Sequence, residues 1–318
     1  MATPVFLVTL VGLTSVRLTK GSAGNVYEWG YVGAHSEYTV CCGPDQWKSH
    51  FPHCGGMRQS PIDINTDHVL YNENLGDLKL LNYDTSLSTP PTLINNGHTV
   101  QVNIQGDYFL QGGGLPSRYR VAQFHFHWGD ADKRGSEHLV NGKAFPMEMH
   151  IVHYSTEYSN VSDALNRPNG LAVLAVLFTV GDAPNSAFDK VVGHLQSQSD
   201  VIKLDTFSLR SLLPVDVSTF FRYSGSLTTP PCYESVIWSL YRNNVALAES
   251  QVNKFRTLLK ASLPGEGNGS RLVNDFRPVQ PMNARVVETN RPIKGCGLSA
   301  SPSVDFFLSV VLIVLTLV

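Results

Sequence analysis

Residues 171–180 read LAVLAVLFTV, ten positions without a charge. The run is half the length that a membrane-crossing helix needs and rich in residues that favour strands, so it reads as a strand covered on both faces. A chain containing such a segment needs a layer on each side of a sheet to hide it. The segments around it supply that sheet. HTVQVNIQ (98–105), RVAQFHFHW (120–128), MEMHIVHY (147–154) and ESVIWSLY (234–241) alternate as half-buried strands do. Helical spacing is confined to AFDKVVGHLQSQ (187–198) and LAESQVNKFRTLLKA (247–261), where Leu247, Val252, Phe255, Leu258 and Leu259 share one face. With 26 glycines and 18 prolines as turn formers, the expected fold is mainly β (α+β). It is one domain on a large, mostly antiparallel twisted sheet, with a few short surface helices.

The two ends differ from the middle. Residues 4–16 are apolar and precede the small residues Gly21-Ser22-Ala23, the pattern of a signal peptide over 1–23, with an N-terminal strand as the competing reading. Residues 306–318 form an uncharged tail after a short spacer and Gly295-Cys296-Gly297. That is the pattern of a GPI-anchor signal over 295–318, with Gly295 as the attachment site, Ser299 or Ser301 as fallbacks, and a plain tail anchor or buried strand as the competing reading. The mature domain is then 24–294, on the extracellular face of the plasma membrane. The sequons at Asn160 and Asn268 fit glycosylation there. Loss of Cys296 with the tail leaves Cys41, Cys42, Cys54 and Cys232, an even number that suggests disulfides, although adjacent cysteines such as Cys41 and Cys42 rarely pair. A net charge of -2 argues against nucleic acid as the main partner.

Within 120–128, residues two apart point the same way. Gln123, His125 and His127 therefore share one face, while Phe124, Phe126 and Trp128 share the other and pack into core. Two imidazoles on one face of a stiff strand can hold one metal ion, and an open zinc site needs a third protein ligand. His150 is the best candidate, sharing a face with Glu148 and Val152. His153 is equally available on spacing but points the opposite way. Gln123 and Glu148, each two residues before a histidine, are positioned to fix ring tautomers. Ordinary core histidines are the competing reading for all of them.

Taken together, QFHFHWG (123–129), GSEH (135–138), MEMHIVH (147–153) and GSLTTPP (225–231) resemble the α-class carbonic anhydrases in order and spacing. RQSPIDI (58–64), NNGH (95–98), GLAVL (170–174) and NDFRPVQP (274–281) carry the resemblance over about residues 27–285. GGGLP (112–116), the cysteines and the tail look most like the GPI-linked type IV and type XV members.

The resemblance implies reversible hydration of carbon dioxide to bicarbonate and a proton, by attack of zinc-bound hydroxide. It makes His125, His127 and His150 the ligands of Zn2+ and His153 a structural residue. Thr228 then orients the nucleophile and donates to Glu137, and its N–H receives a substrate oxygen. Thr229 lines the site, and Val152, Val173, Leu227, Val236 and Trp238 form an apolar wall for the substrate. His98 becomes the proton shuttle, with Tyr31, Asn96 and Gln101 ordering water; Gln101 stands where some relatives have asparagine. Cys54 and Cys232 correspond to the disulfide of the extracellular members. Gly30 stands where those members carry a cysteine, which leaves Cys41 and Cys42 free, bridged to each other, or linked to another molecule. Bicarbonate transporters are the implied protein partners. A non-catalytic binding module on the same fold is the alternative function, and general zinc esterase activity is a conceivable side reaction.

Overall fold

The computed structural model describes residues 28–31, 40–196, 200–258 and 271–293. Both expected processing segments, Gly295, Asn268 and the side chains of Cys41 and Cys42 lie outside the described residues. No helix among them is long and apolar enough to cross a membrane.

One 13-stranded sheet organises the domain. Its centre runs, in spatial order, through β1 (Thr92–Asn95), β2 (Val100–Asn103), β3 (Tyr119–Trp128), β4 (Met147–Ser155), β5 (Leu171–Gly181), β7 (Val236–Tyr241) and β6 (Phe220–Gly225). Neighbours are antiparallel except β5 and β7, which run parallel. The apolar run 171–180 is β5, between β4 and β7. Its residues are buried through Phe178, and only the end of the strand, Thr179–Gly181, reaches solvent. An apolar cluster covers each face. One contains Phe124, Phe126, Trp128, Leu174 and Val176, and the other Val173, Ala175, Val236 and Trp238. Adjacent residues of β5 thus belong to opposite layers, as period-two geometry requires.

The helical expectations need correcting. Among the described residues of 187–198 the chain makes a single α turn, α1 (Asp189–Val192), which ends at Gly193. In the second segment the helix is α2 (Glu249–Arg256). Leu247 is not on it. Leu247 belongs to β8 (Val245–Ala248), which pairs parallel to the end of β5 with Leu247 opposite Val180. Strand pairing along β5 wins over helix propagation there, and Gln251 Oε1 accepts the Ala248 N–H at 3.2 Å to start the helix one residue later. Val252 and Phe255 are buried as the helical face requires, Leu258 follows the helix, and Leu259 lies outside the described residues.

Cys54 and Cys232 form a disulfide that ties together segments 178 residues apart. Asn160 caps the helical turn Val161–Ala164, its Oδ1 accepting the Asp163 N–H at 3.1 Å.

Candidate metal centre

Register across β3 and β4 sets the site. His125 stands directly opposite His150, and His127 is opposite Glu148. Directly opposed residues on one face sit about 5 Å apart at Cβ. Two strands therefore bring three imidazoles together without any loop. One nitrogen from each of His125, His127 and His150 lies within 4.8 Å of the others.

The remaining ring nitrogens are occupied. His125 Nδ1 donates to Gln123 Oε1 at 2.9 Å, and His127 Nδ1 to the Asp275 carbonyl at 2.7 Å. His150 Nε2 donates to Glu148 Oε1 at 2.7 Å. Each contact fixes a tautomer and leaves a lone pair on Nε2, Nε2 and Nδ1 respectively. His127 Nε2 is buried with no hydrogen-bond partner. A buried lone pair of that kind needs an electrophile or a donor to offset its desolvation. Burial, then the two neighbouring imidazoles, push His125 well below the usual histidine range, and burial pushes His127 down too. Neutral imidazole is the ligand form. Three neutral nitrogen donors with room for a fourth ligand suit zinc.

Glu148 anchors the site from below. Burial alone would raise its pKa, but His138 and His150 beside it hold the carboxyl well below the usual range. Its Oε2 accepts the backbone N–H groups of Glu137 and His138 at 2.9 and 2.8 Å, and Oε1 also accepts His138 Nδ1 at 2.6 Å. Beyond it, His138 Nε2 is 2.6 Å from the Tyr223 hydroxyl, which donates to Ser60 Oγ at 2.8 Å. His138, Tyr223 and Ser60 were not among the expected site residues. The only hint in the sequence is the place of His138 beside Glu137 in GSEH.

Glu137 is buried, with Oε2 3.4 Å from His127 Nε2 and 3.9 Å from His150 Nδ1. Its Oε1 accepts the Arg277 N–H at 2.8 Å, and Oε2 is buried without a hydrogen-bond partner. Among the described residues no hydrogen bond joins Thr228 to Glu137. Arg277 sits over Trp47 and donates to Gln59 Oε1, the Ser60 carbonyl and the Cys54 carbonyl at 2.9–3.0 Å. Burial lowers its pKa to about 10, which leaves it charged at neutral pH. Arg277 therefore links the disulfide-bearing segment to the carboxylate of the site, a role that sequence reading missed.

The cavity at the triad is lined by the expected residues Thr228, Thr229, Val152, Val173, Leu227 and Trp238, together with Trp29, Tyr31, His98, Thr99 and Gln123. Val236 is buried in the apolar cluster with Trp238 and is not among the lining residues. Asn96 and Gln101 are not lining residues either. Asn96 organises the turn before His98, its Oδ1 accepting the His98 and Thr99 N–H groups at 3.0 and 2.9 Å. Gln101 Nε2 donates to Asn103 Oδ1 at 2.7 Å. His98 is half-buried and stacks on Trp29 with ring centroids 4.0 Å apart. His153 lies in the opposite layer, its Nδ1 donating to the Ala172 carbonyl at 3.0 Å and its Nε2 meeting the Tyr83 hydroxyl.

Comparison with known proteins points the same way as this geometry. The model of the eukaryotic-type carbonic anhydrase family matches residues 42–291. Carbonic anhydrase 12 of Homo sapiens is 38% identical over 271 residues, covering 84% of this chain and 74% of that protein. Carbonic anhydrase 15 of Mus musculus is 39% identical over 260 residues, covering 78% and 80%. Carbonic anhydrase 6 of Homo sapiens is 38% identical over 290 residues, covering 89% and 90%.

Proposed function

The chain belongs to the eukaryotic-type carbonic anhydrase family, and from that premise we propose that it is a zinc enzyme that hydrates carbon dioxide reversibly to bicarbonate and a proton. The observation that carries the reading is the convergence of three histidine nitrogens within 4.8 Å, each ring pinned from behind by its own acceptor. His125 Nε2, His127 Nε2 and His150 Nδ1 would hold the ion. When bound, zinc is a Lewis acid that acidifies water to give a nucleophile at neutral pH, a role for which carbonic anhydrases are the standard example.

The residues around the triad have separable tasks. Glu137 Oε2 is buried without a hydrogen-bond partner, and a carboxylate only accepts; in the working site the Thr228 hydroxyl would donate to it and turn its lone pairs toward the reacting centre. The Thr228 N–H receives a substrate oxygen. Val152, Val173, Leu227 and Trp238 give an apolar gas a dry wall to rest against. His98 takes the proton outward, because imidazole ordinarily titrates near neutral pH and the ring lines the cavity. The composition of both chain ends supports display outside the cell on a lipid anchor at Gly295, with sugar at Asn160 and Asn268. Bicarbonate transporters fit such a location as partners.

Stopped-flow hydration of carbon dioxide by the purified protein tests the reading. Catalysis well above the spontaneous rate is expected. Bound zinc without catalysis would favour a binding module. Release of the activity from intact cells by a phosphatidylinositol-specific phospholipase tests the anchor, and persistent attachment would favour a peptide anchor.

A further inference from the structure

We propose that Thr99 is a positioning residue for proton export, acting by stapling the turn that carries His98 to the metal-binding strand. The inference rests on the reading of His98 as the group that takes the proton.

The pairing of β2 with β3 places Gln101 opposite His125, Val102 opposite Phe124 and Asn103 opposite Gln123. Continued by one step, that register sets Val100 opposite Phe126. The paired register ends before that step, and there one hydroxyl meets both main-chain groups of Phe126: Thr99 Oγ1 accepts the Phe126 N–H at 3.3 Å and donates to the Phe126 carbonyl. Phe126 is the residue between His125 and His127. A single side chain therefore ties the end of the β2 pairing to the strand between two of the three candidate ligands, at the point where the chain turns away.

Between the paired residues Asn95 and Val100 the chain turns through Asn96–Thr99. Asn95 Oδ1 accepts the Gly97 N–H at 3.1 Å, and Asn96 Oδ1 accepts the N–H groups of His98 and Thr99. The Asn96 N–H donates to the Thr99 carbonyl at 3.1 Å. The turn is closed by its own hydrogen bonds, and its start is held by Asn95 Nδ2, which donates to the Gln196 carbonyl at 3.2 Å. The residue that fastens its end to the metal-binding strand is Thr99. It is 3% exposed and lines the cavity beside His98 and His127. Trp29 then fixes the ring plane from the other side by stacking.

Proton export regenerates the site after product has left, so a displaced His98 lowers kcat and leaves kcat/KM in place. Loss of structure or of metal would lower both. Thr99→Val keeps the shape and removes the hydroxyl, whereas Thr99→Ser keeps the hydroxyl. We expect Thr99→Val to lose about tenfold in kcat in weak buffer, with kcat/KM within about twofold and one zinc per chain retained. Added imidazole and Thr99→Ser should each restore kcat. In metal-free protein the Phe126 amide should exchange with solvent about tenfold faster in Thr99→Val than in wild type, and near the wild-type rate in Thr99→Ser. Asn96→Ala, which loosens the same turn from its other end, should give the same loss confined to kcat. Unchanged kcat in Thr99→Val, or equal losses of kcat and kcat/KM that imidazole does not restore, would overturn the assignment of Thr99 while leaving the enzymatic reading intact. A wild-type protein without hydration activity would overturn both.

Discussion

His150 Nε2 donates to Glu148 Oε1 at 2.7 Å, two residues back along the same strand. The bond turns the ring so that Nδ1 faces His125 and His127 Nε2. The same carboxylate holds three more donors: two backbone N–H groups and His138 Nδ1. It is completely buried. Glu148 therefore fixes a tautomer, a ring orientation and the Glu137–His138 backbone at once.

Glu148→Gln should weaken zinc binding by about 10–100-fold, the usual effect of removing a partner that orients a ligand. An amide cannot accept all four donors. Competition with a zinc chelator of known affinity reads the change directly. Unchanged affinity would mean that the carboxylate does not orient His150.

Thr228→Ala should retain one zinc per chain and lose roughly 100-fold or more in kcat/KM, the scale of removing a preorganised polar group at a reacting centre. Zinc content and hydration rate measured on one preparation separate binding from chemistry. Equal turnover in the variant would refute the orienting role of the hydroxyl.

His153 makes stability depend on pH. Burial lowers its pKa from 6.5 to about 4. The folded state refuses a proton that the unfolded chain accepts below pH 6.5, so stability is unaffected above that pH and falls as pH drops from 6.5 toward 4. The shift corresponds to about 3 kcal/mol at the acid end. Urea denaturation of wild type and His153→Asn across that window should show a shallower pH slope in the variant. Identical slopes would place the acid sensitivity elsewhere.

The disulfide braces the loop after Thr228, since Cys232 follows Pro230 and Pro231 directly. Replacing Cys54 and Cys232 together by alanine should cost about 2–5 kcal/mol, the usual range for removing a native bridge. Denaturant midpoints check this. A loss below about 1 kcal/mol would mean that Arg277, which holds the Cys54 carbonyl, keeps the two segments together without the bridge.

Period-two patterns made the central strands legible in the sequence, because side-chain alternation is a local property. The 120–128 segment became β3 over Tyr119–Trp128, and 147–154 became β4 over Met147–Ser155. Parity put His125 and His127 on one face, but that His150 rather than His153 joins them is a matter of register between β3 and β4, which the resemblance and not parity supplied. Helix lengths were less legible: Leu247 has helical spacing to Val252 and Phe255, yet its neighbour in space is Val180. The support of the site was least legible. Asp275 lies 148 residues from His127, Arg277 is 140 from Glu137, and Ser60 is 163 from Tyr223. No local period links such pairs; they meet because the order of strands in the sheet brings their loops to one end. Thr99 is invisible for another reason, since a hydroxyl that bonds a neighbouring strand's backbone looks in sequence like any strand threonine.

Titration of zinc into metal-stripped protein, with carbon dioxide hydration followed at each addition, tests the central claim most directly. Activity should rise linearly, break at one zinc per chain, and be absent in His127→Ala over the same range. One tightly bound zinc per chain with hydration no faster than in buffer would contradict it.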